Sequence, residues 1–189
     1  PWADAGKPIP PSVHWHVLPS RDRSFEDMRA MAEKIGKFDL KFLTNYRDPN
    51  RGAYNRFEQL YAALNNFPDD RTGALFGPVD KWGTDRVLCI DGATGIGDAA
   101  LEMMTGDKPV KDKPDYGIAQ TNMMNLVRKL TQGCACHFVL LAHVERQLDE
   151  IMGGVKLMPS TPGRALQGII TQPFSDVILT RREGATWYW

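Results

Sequence analysis

Two apolar runs decide most of what this chain can fold into. The first is VLCIDG at 87–92, in which Val87, Leu88, Cys89 and Ile90 are closed by Asp91. The second is HFVLLAH at 137–143, closed by His143. Continuous apolar runs without alternation suit strands covered on both faces, as in a parallel sheet. Between them Pro114 and Asp115 open a helix in which Ala119, Met123, Leu126 and Leu130 recur at helical spacing, and Gly133 closes it. Buried strands alternating with helices predict an α/β domain with a largely parallel sheet.

The flanking segments extend that pattern. Residues 1–11 are rich in Pro and Gly and read as irregular. SVHWHVL at 12–18 alternates and predicts a strand, with Val13, Trp15 and Val17 on one face and His14, His16 and Leu18 on the other. Ser24 and Asp27 have the spacing of a capping box, opening a helix through Phe25, Met28, Met31 and Ile35 that stops at Gly36. A second helix carries Tyr54, Phe57, Leu60, Tyr61 and Leu64 on one face and ends at Asn65-Asn66. Residues 66–86 and 144–173 hold many turn residues and read as long loops, a class often functional in compact domains. Asp176–Thr180 and Thr186–Trp189 flank Arg181-Arg182-Glu183-Gly184-Ala185 as a C-terminal β-hairpin.

Charge and length exclude several classes. The 189 residues carry 23 Lys+Arg and 23 Asp+Glu, so no overall field draws the chain to nucleic acid or an anionic membrane. No apolar run approaches the ~20 residues of a spanning helix. Cys89, Cys134 and Cys136 cannot build a disulfide framework, which points to a reducing, intracellular compartment.

Asp91 is the sharpest chemical candidate. A carboxylate at the end of an apolar strand reaches the ligand-binding edge of an α/β sheet, where phosphate-loop ATPases use it to hold Mg²⁺. An ordinary strand end has the same pattern. His143 ends the second run, so neighbouring strands would place it on the same edge, to sense a γ-phosphate or position water; a surface histidine is the alternative. Cys134-x-Cys136-His137 and His14-x-His16 offer thiols and imidazoles, but without the gaps and second ligand pair of usual zinc sites. No G-x-S-x-G elbow is present, and neither Cys134 nor Cys136 has the setting of a nucleophile.

Taken in order, PSVHWHVLPSRDRSFEDMRAMAEKI, DRVLCIDGATGIGDAAL, CHFVLLAHVERQLDE and FSDVILTRREGATWYW resemble the later part of a RecA-like P-loop NTPase core. They are most similar to phage-encoded RecA-like ATPases grouped with single-strand annealing and recombination proteins. The resemblance covers most of residues 12–189. It implies ATP and Mg²⁺ as cofactors, Asp91 as metal-orienting residue, Thr94 beside the nucleotide, and His143 as sensor. It also implies Arg181 or Arg182 as a finger reaching a neighbouring subunit's nucleotide, hence a homo-oligomer, with a solvated hairpin pair as the alternative. The segment 144–168 would be the single-stranded DNA contact through Lys156 and Arg164. Its Glu145, Asp149 and Glu150 balance Arg146, Lys156 and Arg164, so it is not a basic groove. The expected location is the cytoplasm, that of the host for a phage protein.

The chain departs from that family in one respect. No G-x-x-x-x-G-K-[ST] occurs: Gly6-Lys7 is followed by Pro8. On the resemblance, the first βα unit with its phosphate loop and the catalytic glutamate lie before residue 1. The rival expectation is a non-catalytic binding or assembly module, with a partner surface around Phe67, Phe76 and Trp82.

Overall fold

The computed structural model describes residues 9–19, 24–48, 51–148, 153–184 and 186–189. Ser24 caps helix α1 (Phe25–Lys37) through the predicted capping box, its hydroxyl accepting from the Asp27 N–H while the Asp27 carboxylate accepts from the Ser24 N–H. No residue of α1 is buried, and Phe25 is 90% exposed. A short helix α2 (Leu40–Asn45) follows, capped by Asp39. Helix α3 (Arg56–Asn65) turns Phe57, Leu60 and Ala63 inward. Tyr61, expected on that buried face, is exposed and meets Phe57 edge-on.

The centre of the fold is strand β1 (Val87–Asp91), helix α4 (Ala93–Thr105), helix α5 (Lys113–Gln132) and strand β2 (His137–Leu141). The two strands pair in parallel, from Val87 opposite His137 to Asp91 opposite Leu141. A parallel pair needs a long crossover, and α4 and α5 supply it. Asp112 and Asp115 form a second capping box at the start of α5, with Lys108 Nζ 2.8 Å from each carboxylate. Ala119, Met123, Leu126 and Leu130, the stripe read from spacing, are all buried. They join Phe57, Leu88, Ala100, Leu101 and Leu166 in one apolar core.

The architecture is therefore mixed α/β, but the sheet is smaller than expected. The described residues form one parallel pair and two antiparallel pairs. β1 is not covered on both faces: Leu88 is buried, whereas Val87 and Cys89 are exposed. The helices pack on one face only, which gives β1 and β2 an alternating burial that the continuous apolar runs conceal.

Three further expectations are corrected. The segment 12–18 is not a strand, because it makes no ladder; it is docked instead on Asp69 and Asp70 through side chains. Part of the supposed long loop 144–173 is an antiparallel hairpin of strands β3 (Val144–Leu148) and β4 (Val155–Pro159), followed by a short helix α6 (Arg164–Gln167). The C-terminal hairpin exists, but its strands are β5 (Arg181–Glu183) and β6 (Thr186–Tyr188). Residues 176–180 lie outside any strand, with Val177 and Ile178 exposed.

Among the described residues, no helix is long and apolar enough to cross a membrane.

Candidate functional site

Asp91 ends β1 and Gly92 caps α4, so the carboxylate stands where strand passes into helix, a position at which α/β sheets bind ligands. The side chain is exposed, and the Asp91–Gly92 peptide is cis. Gly92 offers no side chain to satisfy the first N–H groups of α4. Within the first turn, Thr94 is half-buried, and its Oγ1 is buried with no hydrogen-bond partner among the described residues. The parallel register brings Leu141 opposite Asp91, so His143 leaves the sheet at the same edge two residues later. The predicted neighbourhood of these strand ends is thus met. His143 is exposed, and its carbonyl accepts from the Ser160 N–H at 2.7 Å.

The remaining candidates are dispersed. Arg181 pairs with Glu183 at 3.1 Å and lies over the Tyr188 ring, both contacts within the hairpin. Arg182 occupies β5 opposite Trp187; its side chain lies outside the described set. Lys156 is exposed on β4, and Arg164 is exposed at the start of α6. The β3–β4 hairpin is tied to α6 by Glu145, which accepts from Ser160 Oγ at 2.6 Å and from Gln167 Nε2 at 2.7 Å. Asp149 and Glu150 lie outside the described residues.

A cleft of about 280 Å³ lies between β1, α3, the start of α4 and residues 16–18. Asp91, Gly92 and Ile90 line one side, His16 and Leu18 another, and Arg56 of α3 a third. Arg56 Nε is buried with no hydrogen-bond partner, and its Nη1 is 3.9 Å from Glu102. Sequence reading missed Arg56 because nothing in helical spacing marks one arginine among several.

Histidine pairing with acids was likewise not legible. His14 Nδ1 lies 3.0 Å from the buried Asp69, and His16 Nδ1 lies 2.9 Å from Asp70. The Trp15 and Val17 N–H groups donate to the same two carboxylates. Burial alone would raise the Asp69 pKa; hydrogen bonds from Thr72, His14, Trp15 and Arg71 outweigh it and hold the carboxyl well below its usual range. Hydrogen bonds from His16 and Val17 likewise lower Asp70.

These pairs orient both imidazoles of His14-x-His16 through Nδ1. Among the described residues no group of three or more His, Cys, Asp or Glu is placed to hold a metal ion. Burial pushes the Cys134 and Cys136 thiols up. The aromatic residues expected at a partner surface are half-buried. Phe67 meets Trp82 edge-on, Trp82 Nε1 donates to the Phe76 carbonyl at 3.0 Å, and Phe76 packs on His14, so the loop binds its own chain.

A nucleotide with Mg²⁺ fits part of this edge. Mg²⁺ ordinarily takes one or two protein carboxylates and completes its shell with phosphates and water. Asp91 supplies one exposed carboxylate, and Thr94 supplies a buried hydroxyl without a partner. Residues 1–189 contain no phosphate loop to complete the cradle. No family model matches the chain, and no curated protein or solved structure matches it.

Proposed function

We propose that this chain is the later part of a RecA-like ATPase core, phage-encoded and acting on single-stranded DNA in annealing or recombination. The observation that supports it is the parallel pairing of β1 and β2, which sends Asp91 and the His143 segment to one sheet edge. On this reading ATP supplies the phosphoryl group, and Mg²⁺ neutralises its phosphates when bound. Asp91 orients the metal through an oxygen or an ordered water. Thr94 Oγ1, now without a partner, gains one at the same end of α4. His143, exposed beside that edge, reads the γ-phosphate or holds the attacking water. Arg181 or Arg182 serves a neighbouring subunit in a homo-oligomer, and Lys156 and Arg164 meet DNA phosphates.

The phosphate cradle must then come from polypeptide outside residues 1–189. Exposed apolar surface agrees with a missing strand: Val139 and Leu141 on β2, and Val177, Ile178 and Leu179 beyond it, are uncovered. Intact mass and N-terminal peptide mapping of the natural gene product test this. An upstream strand, G-x-x-x-x-G-K-[ST] and helix are the expected result. A native terminus at Pro1 would contradict autonomous hydrolysis.

The second reading is a non-catalytic binding or assembly module. The absence of G-x-x-x-x-G-K-[ST] from residues 1–189 favours it. It predicts no Mg-ATP affinity even with native upstream sequence.

A further inference from the structure

The cleft beside β1 contains an arginine that the fold does not explain. Arg56 stands at the first turn of α3, its side chain only 26% exposed. Among the described residues its Nε is buried without a hydrogen-bond partner, and the carboxylate nearby, Glu102, is 3.9 Å from Nη1, beyond hydrogen-bonding distance. A buried donor without an acceptor is costly, and a planar guanidinium has the shape to take two oxygens of a carboxylate or phosphate. Solvent or a ligand must supply that acceptor.

The rest of the cleft favours a ligand. His16 lines it with Nδ1 held by Asp70 at 2.9 Å, which fixes the ring and leaves Nε2, a donor when the imidazole is protonated. Gly92 and Gly95, at the start of α4, border the same space, and the N-terminal end of a helix favours negative charge. Between these polar groups the wall is apolar, with Leu60, Leu64, Phe67, Leu88 and Ile96. A volume of about 280 Å³ admits one small molecule, at the lower end of ordinary ligand pockets.

We propose that this cleft binds a small organic oxyanion, with Arg56 and His16 taking the phosphate or carboxylate group and the apolar wall taking the body that carries it. Asp91 borders the cleft as a like charge and is not a ligand for the anion. The site borders the Asp91 edge of the ATPase reading but rests on Arg56 and His16, and it needs neither Mg²⁺ nor ATP.

The test is calorimetric titration of the purified chain in Mg²⁺-free buffer with phenyl phosphate, benzoate, inorganic phosphate and phenol, with the His16 ring resonances followed by NMR. Phenyl phosphate or benzoate should bind and move His16, and phenol should not bind. The stronger of those two identifies the anionic group, and a weaker response to inorganic phosphate reports the apolar wall. Arg56→Gln should weaken binding at least about tenfold, the worth of a charge-assisted hydrogen bond. Arg56→Lys, which keeps the charge but not the fork, covers the case in which Arg56→Gln fails to fold, and should also weaken it. Asp91→Asn should leave binding intact or tighten it. Absence of binding at millimolar concentrations, or equal affinity in Arg56→Lys and His16→Gln, would overturn the proposal and leave water as the acceptor for Nε. Loss of Mg-ATP turnover with oxyanion binding retained would separate failure of the ATPase reading from failure of this one.

Discussion

Asp91 and Leu141 face each other across the last rung of a parallel strand pair, so the carboxylate and the chain entering His143 leave the sheet together. This relationship ties the two apolar runs into one edge, and the core built by α4 and α5 holds it in place. The consequences divide between what anchors the edge and what it does.

The helix stripe and the projecting helix should respond very differently to truncation. Met123 is fully buried in the core, and Met123→Ala should cost about 2–5 kcal/mol. Phe25 is 90% exposed, and Phe25→Ala should change stability by less than about 0.5 kcal/mol. Denaturant unfolding of both variants checks this.

Gly97 packs against a rigid ring. A Cβ at this position would lie 2.4 Å from Pro162 Cδ. Gly97→Ala should therefore destabilise the protein by about 1–3 kcal/mol, the range for overpacking. Adding Pro162→Ala should recover part of the loss, a coupling that thermal unfolding of the double-mutant cycle measures.

Asp69 should govern acid stability. Its folded pKa lies below the unfolded value, so its contribution is present above the unfolded carboxyl pKa of about 3.9 and is lost as pH falls through the folded value. Asp69→Asn should lower the melting temperature at pH 7. The gap from the parent should narrow on acidification below about pH 4. Melting curves from pH 7 to pH 2 distinguish this from a pH-independent loss.

The thiols should be slow. Burial raises Cys89, with Asp91 adding to it, and burial also raises Cys134 and Cys136. The thiolate is the reactive form, so iodoacetamide should alkylate the folded chain more slowly than free cysteine at pH 7.5, with rates rising as pH increases. Rates equal to free cysteine would contradict this account.

Much of the fold was legible because local signals agreed with tertiary packing. The Ser24–Asp27 box, the Ala119–Leu130 stripe and both central strands need only sequence spacing. Helix α4 escaped notice because Gly95 and Gly97 weaken its propensity; the spacing of Ile96, Ala100 and Met103 was its one signal. The strand read at 12–18 failed for a different reason. Alternation records two faces, but a strand also needs a ladder partner, and here Asp69 and Asp70 bind the backbone instead. The β3–β4 hairpin was hidden by its glycines and prolines, which mark turns without revealing the short strands between them. At the site, Asp91 and His143 could be found from strand ends, whereas Arg56 and the two histidine–aspartate pairs depend on contacts between distant segments.

The central claim is that Asp91 serves a metal-bound nucleotide. Its most direct test is Mg²⁺-dependent ATP hydrolysis by the natural gene product, with and without Asp91→Asn, alongside circular dichroism. The account predicts turnover in the parent and a loss on the order of 100-fold or more in the variant, with the fold intact. Equal turnover in the two proteins, or no Mg-ATP binding by the parent, would contradict it.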